Sequence, residues 1–390
     1  MLILIANLGS TSFKFRLYEM DGTSECMLAK GGYERVTDYA AAIGQCVTEL
    51  RAGGHLSGEL DAVGFKTVLG RGVSGCVPAD EKVIAALEGF RDVAPAHNPP
   101  YAQGIRIFSE QMPGVKLYAL FETAFYQWVP EAASRYAVPK KWHDAGLRRY
   151  GFHGASHKFI GERSATLMGR DDVAEVACNL YKNGPQPITG KPLRVISCHL
   201  GGSSSVTGIL NGAAIGTSMG FSPQSGLPQN NRVGDLDSMA LPFIARTLGL
   251  SIDEMERQLS KESGLLGLSD GAGNDMRDIH SAAHSGNSDA QLALDVFIHE
   301  IRRWIGAFWI QMGGCDALVF TAGIGENGDT IRRDVCAGLE GLGLVLDQEK
   351  NATTRATETE LTGPGSTTRI FTIPANEELV VAREVFRQLA

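Results

Sequence analysis

No stretch of this 390-residue chain stays apolar long enough to span a bilayer, which takes about 20 consecutive apolar residues. The opening run, Met1-Leu2-Ile3-Leu4-Ile5-Ala6, has no basic flank and turns polar at Asn7. It reads as a buried strand, not as a secretory signal, and no membrane partner is expected. Positive charge is also scarce. Lys and Arg number 36 against 44 Asp and Glu, the formal net charge is −8, and basic residues gather no further than pairs such as Lys140-Lys141 and Arg148-Arg149. A nucleic-acid backbone calls for a basic face, so nucleic acid is not expected as a partner, and any phosphate must be held by local groups. The seven cysteines (Cys26, Cys46, Cys76, Cys178, Cys198, Cys315 and Cys336) are scattered, odd in number and without metal-ligand spacing. They read as reduced thiols of a soluble, cytoplasmic protein. With 43% hydrophobic and 21% charged residues the composition is that of a globular protein, which argues against disorder or a coiled coil.

What is present is a repeated pattern. Leu2 to Ala6, the turn Asn7-Leu8-Gly9-Ser10-Thr11-Ser12 and the alternating Phe13 to Tyr18 read as strand, turn and strand. The same order returns at Leu193 to Cys198, then His199-Leu200-Gly201-Gly202-Ser203-Ser204-Ser205, then Val206 to Leu210. This is a half-chain duplication, and the length suits two domains with a cleft between them. Short strands such as Ala62 to Gly64 and Lys116 to Phe121 alternate with helical stretches such as Asp80 to Phe90, with Asp80 as N-cap. That alternation means an α/β fold. From Gln291 to Met312 apolar residues recur at helical spacing and Gly313 supplies a stop; Trp304 and Trp309 there read as packing. A buried strand, Ala317 to Phe320, leads into the glycine-rich Thr321 to Asn327.

Glycine followed by hydroxyl residues at a strand-to-strand turn can aim backbone N–H groups and hydroxyls at one anionic cluster. Alone, such a turn is an ordinary polar hairpin. Two copies in corresponding places, joined by the Gly323-Ile324-Gly325 turn, point instead to a phosphorylated ligand.

Several longer runs carry a family resemblance: Asn7 to Phe15, His97-Asn98-Pro99-Pro100, Arg149-Tyr150-Gly151-Phe152-His153-Gly154-Ala155-Ser156-His157, Thr217 to Phe221, Arg232-Val233-Gly234-Asp235-Leu236-Asp237, Thr321 to Asn327 and Ile373-Pro374-Ala375-Asn376-Glu377-Glu378. In this order from end to end they resemble acetate kinases. The resemblance implies two duplicated α/β domains of the acetate and sugar kinase/Hsp70/actin (ribonuclease H-like) type with an interdomain cleft. Residues 1–147 plus 378–390 would hold the acid and phosphate, and residues 148–377 the nucleotide. It further implies reversible, ATP-dependent phosphorylation of a small carboxylic acid to an acyl phosphate by in-line transfer, with ATP/ADP as co-substrate, Mg2+ or Mn2+ as the metal, and a homodimer.

Carried over by position, the resemblance puts Asn7 and Glu377 at the metal, and Ser10, Ser12 and Lys14 along the phosphate path. His199, Gly201, Gly202, Asp275, Met276, Arg277, Gly323, Ile324, Gly325 and Asn327 would line the nucleotide. Arg232, His153 and His97 would flank the phosphoryl group in flight, whose charge spreads over its equatorial oxygens and calls for fixed donors. Lys66, Val68, Ala96, Phe152 and Pro223 would meet the acid, with Glu122 beside them.

The departures from the family pattern cluster at the substrate. Lys66 stands where the family has an arginine that clamps the substrate carboxylate, which keeps the charge and loses the two-pronged fork. Leu69 and Gly72 replace a polar pair, and Ala96 a leucine, so a roomier pocket and an acid bulkier or more polar than acetate are expected. Glu122 replaces an aspartate; as a carboxylate already ionised at neutral pH, it is expected to organise metal and water rather than to abstract a proton. Gly202-Ser203, Gly216 and Asn230-Asn231 depart on the nucleotide side. A kinase of a non-carboxylate acceptor, with Glu122 as base, and a nucleotide-binding regulator without turnover remain as alternative readings.

Overall fold

β1 (Leu2–Leu8) and β2 (Ser12–Met20) pair antiparallel from Leu2↔Glu19 to Leu8↔Phe13, and β3 (Glu25–Glu34) continues the meander. β1 is almost wholly buried, whereas Phe13, Lys14 and Phe15 in β2 alternate in, out and in, as a strand with one covered face must. β4 (Ala62–Thr67), β5 (Cys76–Pro78) and β6 (Lys116–Phe121) complete a six-stranded sheet of order β3-β2-β1-β4-β6-β5, in which β1-β4 and β4-β6 are parallel. The computed structural model describes residues 1–56 and 58–390.

The second sheet repeats this plan. β7 (Arg194–Leu200), β8 (Ser204–Leu210) and β9 (Ala213–Thr217) form the meander, and β10 (Ala317–Thr321), β11 (Thr359–Glu360) and β12 (Arg369–Thr372) complete the order β11-β12-β10-β7-β8-β9. Parallel pairs again join the first meander strand to the two that follow inward, and the edge strand is again antiparallel. The duplication first visible in two hairpins therefore extends through all six strands of each sheet.

Contacts divide the chain into two units. One comprises Met1–Gln127, Phe152–Phe159 and Asn376–Ala390; the other comprises Trp128–Gly151 and Ile160–Ala375. The sequence expectation placed the changes at 147/148 and 377/378. The structure puts the first at Gln127 and returns residues 152–159 to the first unit, because the Tyr126 hydroxyl donates to the Phe152 carbonyl at 2.6 Å and the Ala155 amide to Glu122 at 3.2 Å. Asn376 and Glu377 also belong to the first unit, tied there by Arg16 and Lys66.

In the first unit the last helix, Glu377–Leu389, lies directly on the sheet: a Cβ at Gly64 of β4 would come within 2.9 Å of Val385 and 3.0 Å of Val381. In the second unit the helix Ser288–Met312 buries Phe297, Ile301, Ile305 and Phe308, is capped at its start by Asn287, and ends at Gly313 with φ 68°. Asp80 caps the helix Glu81–Glu88 as expected, accepting from the Lys82 and Val83 amides. The glycine-rich segment after β10 differs from the expected turn. It is a short helix, Ala322–Asn327, entered through Ala322 at φ 64°. Among the described residues no helix is long and apolar enough to cross a membrane.

Candidate functional site

The second unit contains a cavity of about 710 Å³ lined by Gly201, Gly202, Asn230, Asp275, Met276, Arg277, His280, Gly323, Ile324, Asn327, Gly328, Asp329 and Thr330. Four segments build it. At the end of β7 the chain turns on Gly201, whose amide donates to Ser204 Oγ at 3.2 Å while that hydroxyl donates to the Gly201 carbonyl at 3.0 Å. Asp275 caps the helix Met276–His284 through the Arg277 amide and grips the Arg277 guanidinium in a fork of 2.9 and 2.7 Å. That hydrogen bonding draws the Asp275 carboxyl down to about 2. Beyond its chain neighbours and its own helix backbone, a Cβ at Gly323 would meet nothing within 4 Å among the described residues, so the wall there is bare backbone with room for a ligand.

Arg332 fixes the Ala322–Asn327 helix from behind. Its fully buried guanidinium donates to the carbonyls of Gly325 (2.8 Å), Asn351 (3.1 Å) and Thr354 (3.2 Å) and to Asn351 Oδ1 (2.7 Å). Among the described residues Asn230 Oδ1 is buried with no hydrogen-bond partner, which in a native cavity asks for a donor from elsewhere. Open glycine backbone and an orphaned amide oxygen fit a nucleotide.

Eight of the ten residues expected to line the nucleotide meet at this cavity. His199 is buried on β7 opposite Thr321 and Ser205, and Gly325 is buried with its carbonyl on Arg332; neither is among the lining residues. Sequence reasoning did not assign Asn230, His280, Gly328, Asp329 and Thr330. Asn230 had stood out only as a departure from the family, and Gly328 to Thr330 directly follow a matched run. His280, whose Nε2 lies 3.2 Å from Thr330 Oγ1, carried no signal.

Arg232 is half-buried in the second unit. Its Nη1 lies 3.2 Å from Gln229 Oε1 and 3.4 Å from Ser203 Oγ, and no carboxylate pairs with it among the described residues. Burial lowers its pKa, and the charge stands uncompensated. The nearby Asp235 is instead engaged by Arg303 at 2.8 Å. Gln229 also donates to the Pro223 carbonyl at 2.6 Å, so Pro223 and Arg232 share one anchor.

In the first unit Lys66 and Glu122, two of the departures from the family pattern, meet. Lys66 Nζ lies 3.4 Å from Glu122 Oε1 and also pairs with Glu377, the expected metal ligand. In this state Lys66 is therefore spent on two carboxylates rather than held open for a substrate anion. Burial would lower its pKa, but the Glu377 and Glu122 charges outweigh that and hold the ammonium well above its ordinary value. Burial pushes the Glu122 carboxyl up, with Lys66 opposing and Glu377 adding to the rise. A Cβ at Gly154 would fall 1.9 Å from the Glu122 carbonyl oxygen, so only glycine lets the His153 segment lie against this turn.

His153 is half-buried at φ 57°, a left-handed conformation that costs a non-glycine residue energy and gathers at functional sites. His97 heads the helix Asn98–Gln111, and the buried Asn98 ties that start to the carbonyls of Leu69 (2.8 Å) and Leu87 (3.0 Å). Tyr101 donates to Asn7 Oδ1 at 2.9 Å. Phe152 is buried, Val68 is half-buried and Ala96 is exposed. Ser10 is exposed and Ser12 half-buried at the β1-β2 turn. Lys14 is exposed and pairs with Glu34 at 3.3 Å.

Among the described residues no group of three His, Cys, Asp or Glu could hold a metal. The available donors are the carboxylates of Glu377 and Glu122 and the amide oxygen of Asn7, hard oxygens of the kind magnesium takes. An ammonium already lying on two of them shows that the set draws a cation, so the residues fit a divalent metal.

The chain matches the Acetokinase family over residues 29–383. It is 37% identical to the acetate kinase of Heliobacterium modesticaldum over 418 residues, covering 100% of both chains. Its structure is similar to that of Porphyromonas gingivalis acetate kinase, with a TM-score of 0.86 at 32% identity and 100% coverage of both chains. It is also similar to a propionate kinase from Francisella tularensis, with a TM-score of 0.84 at 31% identity and 98% coverage of both. These likenesses place it among kinases of the duplicated α/β fold. Within that class, the chain belongs to the acetokinase family.

Proposed function

We propose that the protein transfers the terminal phosphoryl group of ATP to the carboxylate of a short carboxylic acid, giving an acyl phosphate and ADP, and that it also catalyses the reverse. A carboxylate oxygen attacks the phosphorus in line, and the bond to the bridging oxygen of ADP breaks. The acid is ionised at neutral pH, so its attack needs no base. What the protein must supply is alignment and positive charge at the equatorial oxygens. Arg232 carries this reading, because among the described residues it is a guanidinium without a carboxylate partner, held half-buried by neutral oxygens. A planar fork of that kind suits phosphate oxygens.

His153 supplies a directional N–H, and His97 is the third donor in the same role. The cavity around Gly201, Gly202, Asp275 to Arg277, Gly323, Ile324 and Asn327 takes the nucleotide, and Ser10, Ser12 and Lys14 are the residues assigned to its phosphates. Asn7 and Glu377 would hold magnesium or manganese, which neutralises charge on the phosphates. The acid binds at Lys66, Val68, Ala96, Phe152 and Pro223. The exposed Ala96 and the single-point charge of Lys66 favour an acid larger or more polar than acetate. The seven free cysteines, four of them buried, suit a cytoplasmic setting. An exposed apolar face in the second unit suits a homodimer.

Replacing Arg232 tests the assignment. Arg232→Ala is expected to lower kcat by about 10²–10³, the cost of removing one preorganised transition-state donor, while calorimetric nucleotide affinity stays within a few-fold. Unchanged turnover in a variant that still binds nucleotide would remove Arg232 from the mechanism.

A further inference from the structure

One ammonium lies between two carboxylates in the first unit. The side chains of Lys66, Glu122 and Glu377 are only 17%, 6% and 15% exposed, so solvent screens them far less than it would a surface pair. Lys66 bridges the two carboxylates, and Glu377 also attracts the Arg16 guanidinium. Glu122 is the fixed member. It sits at the end of β6, its Oε2 accepts from the Ala155 amide at 3.2 Å, and Gly154 is pressed against its backbone. Lys66 reaches it from the adjacent parallel strand β4. Glu377, at the start of the last helix, is the carboxylate that a divalent metal would take, and like charges repel strongly at such range. Metal and ammonium therefore compete for it.

We propose that Lys66 couples metal binding to acid binding by cation exchange: a metal arriving at Glu377 displaces the ammonium, which stays tethered to Glu122 and takes the carboxylate of the acid. The inference rests on the acid-kinase reading given above. Lysine suits this task because its ammonium is a compact charge on a flexible stem with three rotatable donors, whereas the arginine fork is rigid and commits both prongs to one partner. Without metal, Glu377 and Glu122 absorb the charge of Lys66 and the acid binds weakly. With metal, that charge is released, and the acid in turn keeps the ammonium away from Glu377.

The test uses the full-length protein with ADP, so that no turnover occurs, and propionate and Mn2+ as probes. Propionate affinity is measured by calorimetry with and without Mn2+. Mn2+ affinity is measured from the electron paramagnetic resonance of the free ion, with and without propionate. In the wild type each ligand is expected to tighten the other by the same factor, about tenfold. In Lys66→Met, Mn2+ is expected to bind about tenfold tighter than in the wild type, with its coupling to propionate gone; Lys66→Arg is expected to retain a weaker coupling. Unchanged Mn2+ affinity in Lys66→Met, or wild-type propionate affinity indifferent to Mn2+, overturns the proposal. If thermal melting shows that Lys66→Met does not fold, the wild-type coupling alone decides. Failure of the acid-kinase reading looks different: propionate binds in no state, while Mn2+ still binds tighter in Lys66→Met.

Discussion

Gly264 adopts φ 64°, and a Cβ there would stand 2.1 Å from the Gln229 carbonyl oxygen and 2.6 Å from that of Arg232. The same residue therefore meets two demands that only glycine satisfies, a left-handed backbone and closest approach to the loop that carries the uncompensated guanidinium. The left-handed conformation alone costs an alanine about 1–2 kcal/mol, and overlap with two carbonyls adds to it. Gly264→Ala is expected to lower the melting temperature and to reduce kcat more than it raises the nucleotide KM, because the displaced loop carries Arg232; steady-state kinetics with a melting curve would check both. At this scale the sequence was legible where residues lie in contiguous runs, as with Arg232 and Gly201. Lys66, Glu122 and Glu377 were each singled out, yet their meeting was not visible, since Lys66 and Glu377 are 311 positions apart and no local pattern encodes such a contact.

The hairpins β1-β2 and β7-β8 follow from alternation and turn residues, and the helix expected from Gln291 follows from its spacing, though it starts earlier, at Ser288. The helix Ala322–Asn327 does not follow, because Gly323 and Gly325 oppose helix formation by about 1 kcal/mol each relative to alanine. Tertiary support overrides that local preference. Arg332 holds the Gly325 carbonyl together with those of Asn351 and Thr354, a tie that nothing in the glycine run announces. Truncation to Arg332→Met would leave these buried carbonyls without their donor, at about 1–3 kcal/mol for each acceptor left unpaired. The expected result is a melting temperature lower by several degrees and a nucleotide KM that rises more than kcat falls. A KM equal to the wild type in the destabilised protein would separate Arg332 from the cavity.

Across the whole molecule, one strand plan used twice explains why paired glycine-hydroxyl hairpins occur at all: β1-β2 and β7-β8 are the same feature of two sheets. The unit boundaries were less legible, because a chain that leaves the first unit at Gln127 and returns for Phe152–Phe159 changes neither composition nor periodicity as it crosses. The second unit exposes Met239 (68%), Phe243 (62%), Leu248 (62%) and Ile252 (77%), in or beside the helices Ala240–Leu248 and Ile252–Lys261. Large apolar residues gathered this way are what the proposed homodimer would cover. Phe243→Asp is expected to convert a dimer to a monomer in light scattering without unfolding the protein; a wild type that is monomeric at micromolar concentration would count against the homodimer.

Hydroxylamine reports directly on whether the acceptor is a carboxyl group, since an acyl phosphate yields a hydroxamate and a phosphate ester does not. With ATP, Mg2+ and a panel of short acids, hydroxamate is expected to form in step with ADP, one for one, for at least one acid, with acetate not the best of the panel. ADP released with no hydroxamate for any acid, or a stable phosphate ester as the product, would contradict a carboxyl acceptor.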